Sequence, residues 1–198
     1  SIKGVITEKT QELDKLTQNY HRSKSRLESL VNITERYDGY GNSIRKIMEL
    51  KDSNPGILGV IADIIKVEKQ YETAIETALG GTIQNIVTDK ENTAKELINY
   101  LKVNKLGRAT FLPLNAIHSR NTLENDNCIN EKGVVGVASN LVRVSFEYEG
   151  LAKYLLGRIL VVDNIENALV IARKYKYSLR IVTLEGEQLN PGGSMTGG

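Results

Sequence analysis

Residues 2 to 37 can be laid on an apolar heptad, and a repeat of that length sets the first limit on what the chain can become. With a at 6, 13, 20, 27 and 34 and d at 2, 9, 16, 23, 30 and 37, eight of eleven seam positions are apolar: Ile2, Ile6, Leu13, Leu16, Tyr20, Leu27, Leu30 and Tyr37. Lys9, Ser23 and Thr34 interrupt the seam, and Gly39 and Gly41 end it. A 3.5-residue period puts these side chains on one stripe of a helix, the pattern of a coiled coil. At 1.5 Å per residue the rod is about 54 Å long, more than a small domain is wide. Most of the seam therefore needs a partner from elsewhere; an amphipathic helix wrapped on the chain's own core is the competing reading.

The chain as a whole has globular composition, with 40% hydrophobic and 25% charged residues. Its longest apolar stretches, residues 57–61 and 158–162, are far shorter than the roughly 18 residues of a membrane span, and no targeting signal is visible. Cys128 is the single cysteine, which excludes an internal disulfide and a cysteine-built zinc site and favours a reducing, cytoplasmic setting. The start, SIKGV, lacks methionine and reads as the edge of an excised fragment. A net charge of +2 does not mark a nucleic-acid binder, so electrostatic arguments must be local.

Beyond the heptad the pattern alternates. Residues 42–52 read as a short helix capped by Asn42, closed by Pro55 and Gly56. A strand signal at ILGVIADI precedes a helix over 68–81, a strand over 83–89, a helix over 91–106 and a strand at RATFL. After a polar stretch the order recurs as helix YEGLAKYLLG, strand RILVVD, helix 164–176 and strand LRIVTLEG. A shift of 74 superposes Asp89 on Asp163 and Ala94, Leu97, Ile98 and Leu101 on Ala168, Ile171, Ala172 and Tyr175. These features predict a mixed α/β (α+β) chain of two related small subdomains behind an N-terminal coiled-coil helix. The expected divisions are an arm over 1–37, a connecting helix and turn over 38–55, subdomains over 56–114 and 134–198, and a polar linker over 115–133.

Catalytic signals are missing. His21 lies in the heptad and His118 in the linker, neither at metal-ligand spacing, and Cys128 has no local base. GYGNS at 39–43 lacks the strand-to-helix setting of a phosphate loop, so no enzyme is expected. Positive charge does cluster: Lys102, Lys105, Arg108 and Arg120 fall between Glu96 and Glu124 with no acid, and Arg173, Lys174, Lys176 and Arg180 between Glu166 and Glu185. Such patches either hold a phosphate backbone by counterion release or are solvated helix ends favoured by the macrodipole. Tyr100 is placed to offer a stacking face beside Lys102.

With LGG at 79–81, GRATFLPL at 107–114, GVVGVASNLV at 133–142, LLGRILVVDNIENA at 155–168 and the terminal PGGSMTGG, the chain resembles the hinge domain of SMC (structural maintenance of chromosomes) proteins, bacterial type, over about residues 40–198. The resemblance implies a two-subdomain hinge that forms a homodimer, with ATPase heads at the far end of an antiparallel coiled coil. It implies a dimer contact at Gly192, Gly193, Gly197 and Gly198, and non-specific DNA contact at Lys102, Lys105 and Arg108. No cofactor is implied for the hinge itself; ATP and Mg belong to the full-length protein, as do kleisin-type accessory subunits that do not bind here. The setting implied is cytoplasmic and nucleoid-associated, with a role in chromosome condensation and segregation and no membrane partner. Glycines without Cβ would let an edge strand approach another chain, so alanine at all four positions is expected to break the dimer and leave the monomer folded. A small-molecule-binding α/β regulatory module, with the glycines lining a pocket, is the alternative; a loose tail is the other fate open to them.

Overall fold

A computed structural model describes residues 1–36 and 40–198, the side chains of residues 29–36 excepted. Tyr37 and Gly39 of the heptad reading, and the side chains of Leu30 and Thr34, lie outside the described residues. Helix α1 (Ile2–Arg36) is one uninterrupted element of 35 residues. Ser1 caps it, its hydroxyl accepting from the Gly4 amide at 3.2 Å. Along its seam Ile2, Ile6, Leu13, Leu16, Tyr20 and Leu27 are 60–82% exposed, which overturns the wrapped-helix reading. Helix α2 (Asn42–Met48) is shorter than expected, and its N-cap is Gly41, extended at φ −60°, so Asn42 is already helical.

Two copies of one topology follow. The first runs β1 (Ile57–Val60), a helical turn α3 (Ile61–Ile64), β2 (Lys66–Val67), α4 (Glu72–Leu79), β3 (Ile86–Thr88), α5 (Glu91–Val103) and β4 (Phe111–Pro113). The second runs β5 (Val134–Val137), a 3-10 turn in place of α3, β6 (Val142–Arg143), α6 (Glu149–Leu156), β7 (Ile159–Val162), α7 (Ile165–Lys174) and β8 (Arg180–Thr183). It then adds a hairpin with no counterpart, β9 (Gln188–Leu189) and β10 (Met195–Thr196). The sheets have the orders β1-β3-β4 and β10-β9-β8-β7-β5, and β2 pairs with β6 to link the halves.

The correspondence extends to register. In each half the first strand is antiparallel to the central one with a register shift after its first pair, Ile57↔Thr88 then Gly59↔Val87, and Val134↔Val162 then Gly136↔Val161. The third strand is parallel in both. At the central strand's end Asp89 and Asp163 each accept from the next backbone amide at 2.8 Å and from the side chain four residues on, Thr93 and Asn167. Each aspartate's amide donates to a glycine carbonyl, Gly56 or Gly133, where a Cβ would collide with that same aspartate.

Each half has a core of its own, built on Ile47, Ile57, Ile86 and Leu97 in one and on Leu160, Val162, Ile171 and Ile181 in the other. A third cluster, with Ile75, Val87, Leu151, Leu156, Val161 and Val182, takes residues from both halves. The segment read as a polar linker is only partly one, since Leu123 and Cys128 are 1% exposed within the second core. Their burial follows from 3-10 turns at Leu123–Asn125 and Asn127–Asn130 that press apolar positions inward. Burial is also what raises the Cys128 thiol pKa, with Asp126 adding to it.

Candidate functional site

The terminal glycines belong to an ordered hairpin at the edge of the five-stranded sheet. β8 turns through Leu184–Glu187, where Gly186 takes φ +95° and the Thr183 amide donates to the Glu187 carbonyl at 2.9 Å. Thr183 Oγ1 also bonds the Glu187 carboxylate. β9 buries Leu189, and the chain reverses at residues 190–194. There the Asn190 amide donates to the Ser194 carbonyl at 2.9 Å and the Gly193 amide to the Asn190 carbonyl at 3.0 Å. Gly192 donates to the Tyr177 carbonyl at 2.8 Å, which ties the turn to the end of α7. The loose-tail reading is set aside by these bonds.

Ladder geometry shows which backbone groups of β10 remain open. Thr183 bonds Glu187, so residues 187 and 189 face β8 and residues 188 and 190 face β10. Thr196, opposite Gln188, therefore points its N–H and C=O at β9, while those of Met195 and Gly197 point outward. No strand among the described residues pairs with that outer edge, and residues 191–198 are all exposed. The four glycines differ in role. Gly192, Gly193 and Gly198 have φ of +92°, +106° and +119°, a region side-chain-bearing residues rarely adopt. Gly197 lies opposite Glu187, whose Cγ would be 3.2 Å from an added Cβ. Alanine at all four positions therefore strains the backbone at Gly192, Gly193 and Gly198, a cost to the monomer itself that the sequence reading did not include.

Lys102, Lys105 and Arg108 are exposed together on the turn from α5 to β4. Lys102 sits in the last turn of α5, and Lys105 takes the left-handed conformation, φ 53°, that reverses the chain. Arg108 offers its carbonyl to the Ser43 hydroxyl of α2 at 2.6 Å, which places this basic turn against the helix that follows the arm. Tyr100 is half-buried, packed against the first core. The second cluster is more compensated. Lys174 pairs with Glu131 at 2.5 Å, which together with the Tyr175 hydroxyl lowers the Glu131 pKa and raises that of Lys174. Arg180 donates Nε–H and Nη2–H to the Gln188 amide oxygen at 3.1 and 2.8 Å, in the amide orientation that faces oxygen to guanidinium. Arg120, grouped with the first cluster by sequence, instead lies over the Tyr154 ring at 4.7 Å in the second half.

The outward polar groups of Met195 and the place of Arg120 over Tyr154 were not visible in the sequence; only the pairing register and the packing of α6 reveal them. Among the described residues no group of three or more His, Cys, Asp or Glu is placed to hold a metal, and no helix is long and apolar enough to cross a membrane.

Residues 54–172 match the model of the SMC proteins Flexible Hinge Domain. The chain is 41% identical over 191 residues to the Chromosome partition protein Smc of Desulfitobacterium hafniense, a match covering 94% of this chain and 16% of that protein. It thus spans about a sixth of the length of the curated relatives it matches. Among solved structures, an asymmetric dimer of the Geobacillus stearothermophilus SMC hinge domain shares 38% identity at a TM-score of 0.77, over 94% of this chain and 77% of that one. The Pyrococcus furiosus Smc hinge domain with an extended coiled coil shares 33% at 0.67, over 98% and 68%. With the family match spanning more than half of its residues, the chain belongs to the SMC hinge family, and it is a hinge rather than a catalytic domain.

Proposed function

We propose that this chain is the dimerisation hinge of a chromosome-organising SMC ATPase, self-associating through the terminal hairpin. The supporting observation is the outer edge of β10, which presents the N–H and C=O of Met195 beside glycines that keep the approach clear. In this reading 56–114 and 134–198 are the hinge subdomains, and α1 is one strand of an arm whose exposed seam is covered by a returning helix. ATP and Mg act in heads outside this chain, kleisin-type subunits bind elsewhere in the whole protein, and the assembly is cytoplasmic and nucleoid-associated, serving chromosome condensation and segregation. Lys102, Lys105 and Arg108 supply a modest, sequence-independent contact to DNA.

Met195→Pro tests the hairpin contact. Proline removes the outward amide of Met195 and none of the bonds that β10 makes to β9. Equilibrium sedimentation is expected to show a dimer for the parent and a monomer for the variant at the same concentration, with unchanged circular dichroism. A variant that stays folded and dimeric would place the interface elsewhere.

A further inference from the structure

Three arginines, Arg120, Arg158 and Arg180, line one cavity of about 220 Å³ in the second half, with Tyr154, Ser178 and Pro191 also on its wall. No acidic side chain lines it, and among the described residues none forms an ion pair with any of the three. Each guanidinium is held by a neutral group instead. Arg120 stacks on the Tyr154 ring at 4.7 Å, Arg158 Nη1 donates to the Asn121 carbonyl at 3.1 Å, and Arg180 meets the Gln188 amide. A guanidinium carries five N–H donors, and these contacts use at most two of them on any one arginine. The groups are thus oriented while their charge stays uncompensated.

The internal repeat shows what stands at two of these places in the other half. α4 and α6 correspond at a spacing of 77 positions, Glu72–Leu79 on Glu149–Leu156, so Tyr154 corresponds to Thr77. β4 and β8 correspond through their registers with the central strands, Phe111 on Ile181, so Arg180 corresponds to Thr110. Arg158, between α6 and β7, corresponds to the Gly80–Gln84 turn between α4 and β3, which carries no charge. The first half thus carries no arginine at the places of Arg158 and Arg180, and it has no β9 to supply a partner such as Gln188. Like charges brought together in a solvent-accessible cavity repel, a cost that an anion bound among them would offset.

We propose that this cavity is a phosphate-binding site. A carboxylate is satisfied by a single guanidinium fork, whereas a tetrahedral phosphate has acceptor oxygens enough for several, and its higher charge offsets the mutual repulsion of three. The phosphate is either a free phosphate species or one phosphate of a polynucleotide, and the site is separate from the Lys102 turn.

The probe is inorganic phosphate, titrated at low ionic strength into the isotopically labelled chain with chloride as the counter-titration. Phosphate is expected to shift the amide resonances of Ser178 and Leu179, and the double variant Arg120→Gln with Arg158→Gln to weaken binding by about tenfold or more. Arg158→Lys, which keeps charge and loses the fork, should weaken it less. Reversing Lys102 and Lys105 should leave it unchanged, so this result stands whatever becomes of the DNA reading. If the arginine variant also loses affinity for duplex DNA, the phosphate belongs to a polynucleotide; if DNA affinity is untouched, it is a free species. Shifts absent with phosphate, or equally present with chloride, would overturn the proposal. So would a folded double variant that binds phosphate as the parent does, or one whose only change is loss of the dimer, which would assign the arginines to an acidic group of a second copy.

Discussion

At Asp89 the Thr93 hydroxyl donates at 2.5 Å and the Lys90 amide at 2.8 Å, and both bonds favour the carboxylate. The Thr93 bond is the larger cause, and together they hold the Asp89 pKa below its ordinary 3.8 despite an opposing desolvation. A group whose pKa is depressed by folding stabilises the native state above its unfolded value and loses that contribution as pH falls through the folded one. Thr93→Val is therefore expected to be less stable than the parent by a margin that is widest above the ordinary carboxylate range and narrows as pH falls through the lowered pKa of Asp89. Urea denaturation across that range measures the margin, and a gap independent of pH would show that the threonine acts by packing alone. The Asp89 and Asp163 match was legible in the sequence at a shift of 74. Gly56 and Gly133 were not, because the repeat there runs at a different spacing, and only the strand pairings expose it.

At the scale of elements, the long helices were the legible part. α5 and α7 carry a 3.6-residue apolar period over enough turns to declare themselves, and the buried runs at 57–60 and 159–162 are dense in β-branched residues. β2, β6, β9 and β10 have two residues each, too few for any period, and their partners are fixed by turn geometry or by distant chain. For this reason the terminal glycines were identifiable and their individual roles were not. The φ values divide them: Gly192→Ala with Gly193→Ala should cost about 1–3 kcal/mol per residue in backbone strain and loosen the bond from residue 192 to the Tyr177 carbonyl. Gly197→Ala is expected to be well tolerated by the monomer, since its neighbour is the flexible Glu187 side chain. Chemical denaturation of the two variants compares them directly, and equal stabilities would contradict the assignment.

For the whole molecule, two related halves share a central core, and β2 pairs with β6 across them. The basic turn of the first half and the hairpin of the second lie on opposite sides of that shared core in the chain order, one ahead of β4 and the other after β8. Reversing Lys102 and Lys105 should reduce the slope of log affinity against log salt for duplex DNA by about 2, with little effect on association of the protein. A slope that does not change would reduce the turn to a solvated helix end.

The central claim, that the free edge of β10 pairs with another copy of the chain, is tested most directly by hydrogen exchange at the Met195 amide as protein concentration is raised. That amide points away from β9 and is open within one chain, whereas its neighbour at Thr196 is already bonded. Protection at Met195 is predicted to rise in step with the sedimenting mass while Thr196 stays protected throughout. Exchange at Met195 that remains fast when the mass has doubled would contradict the claim.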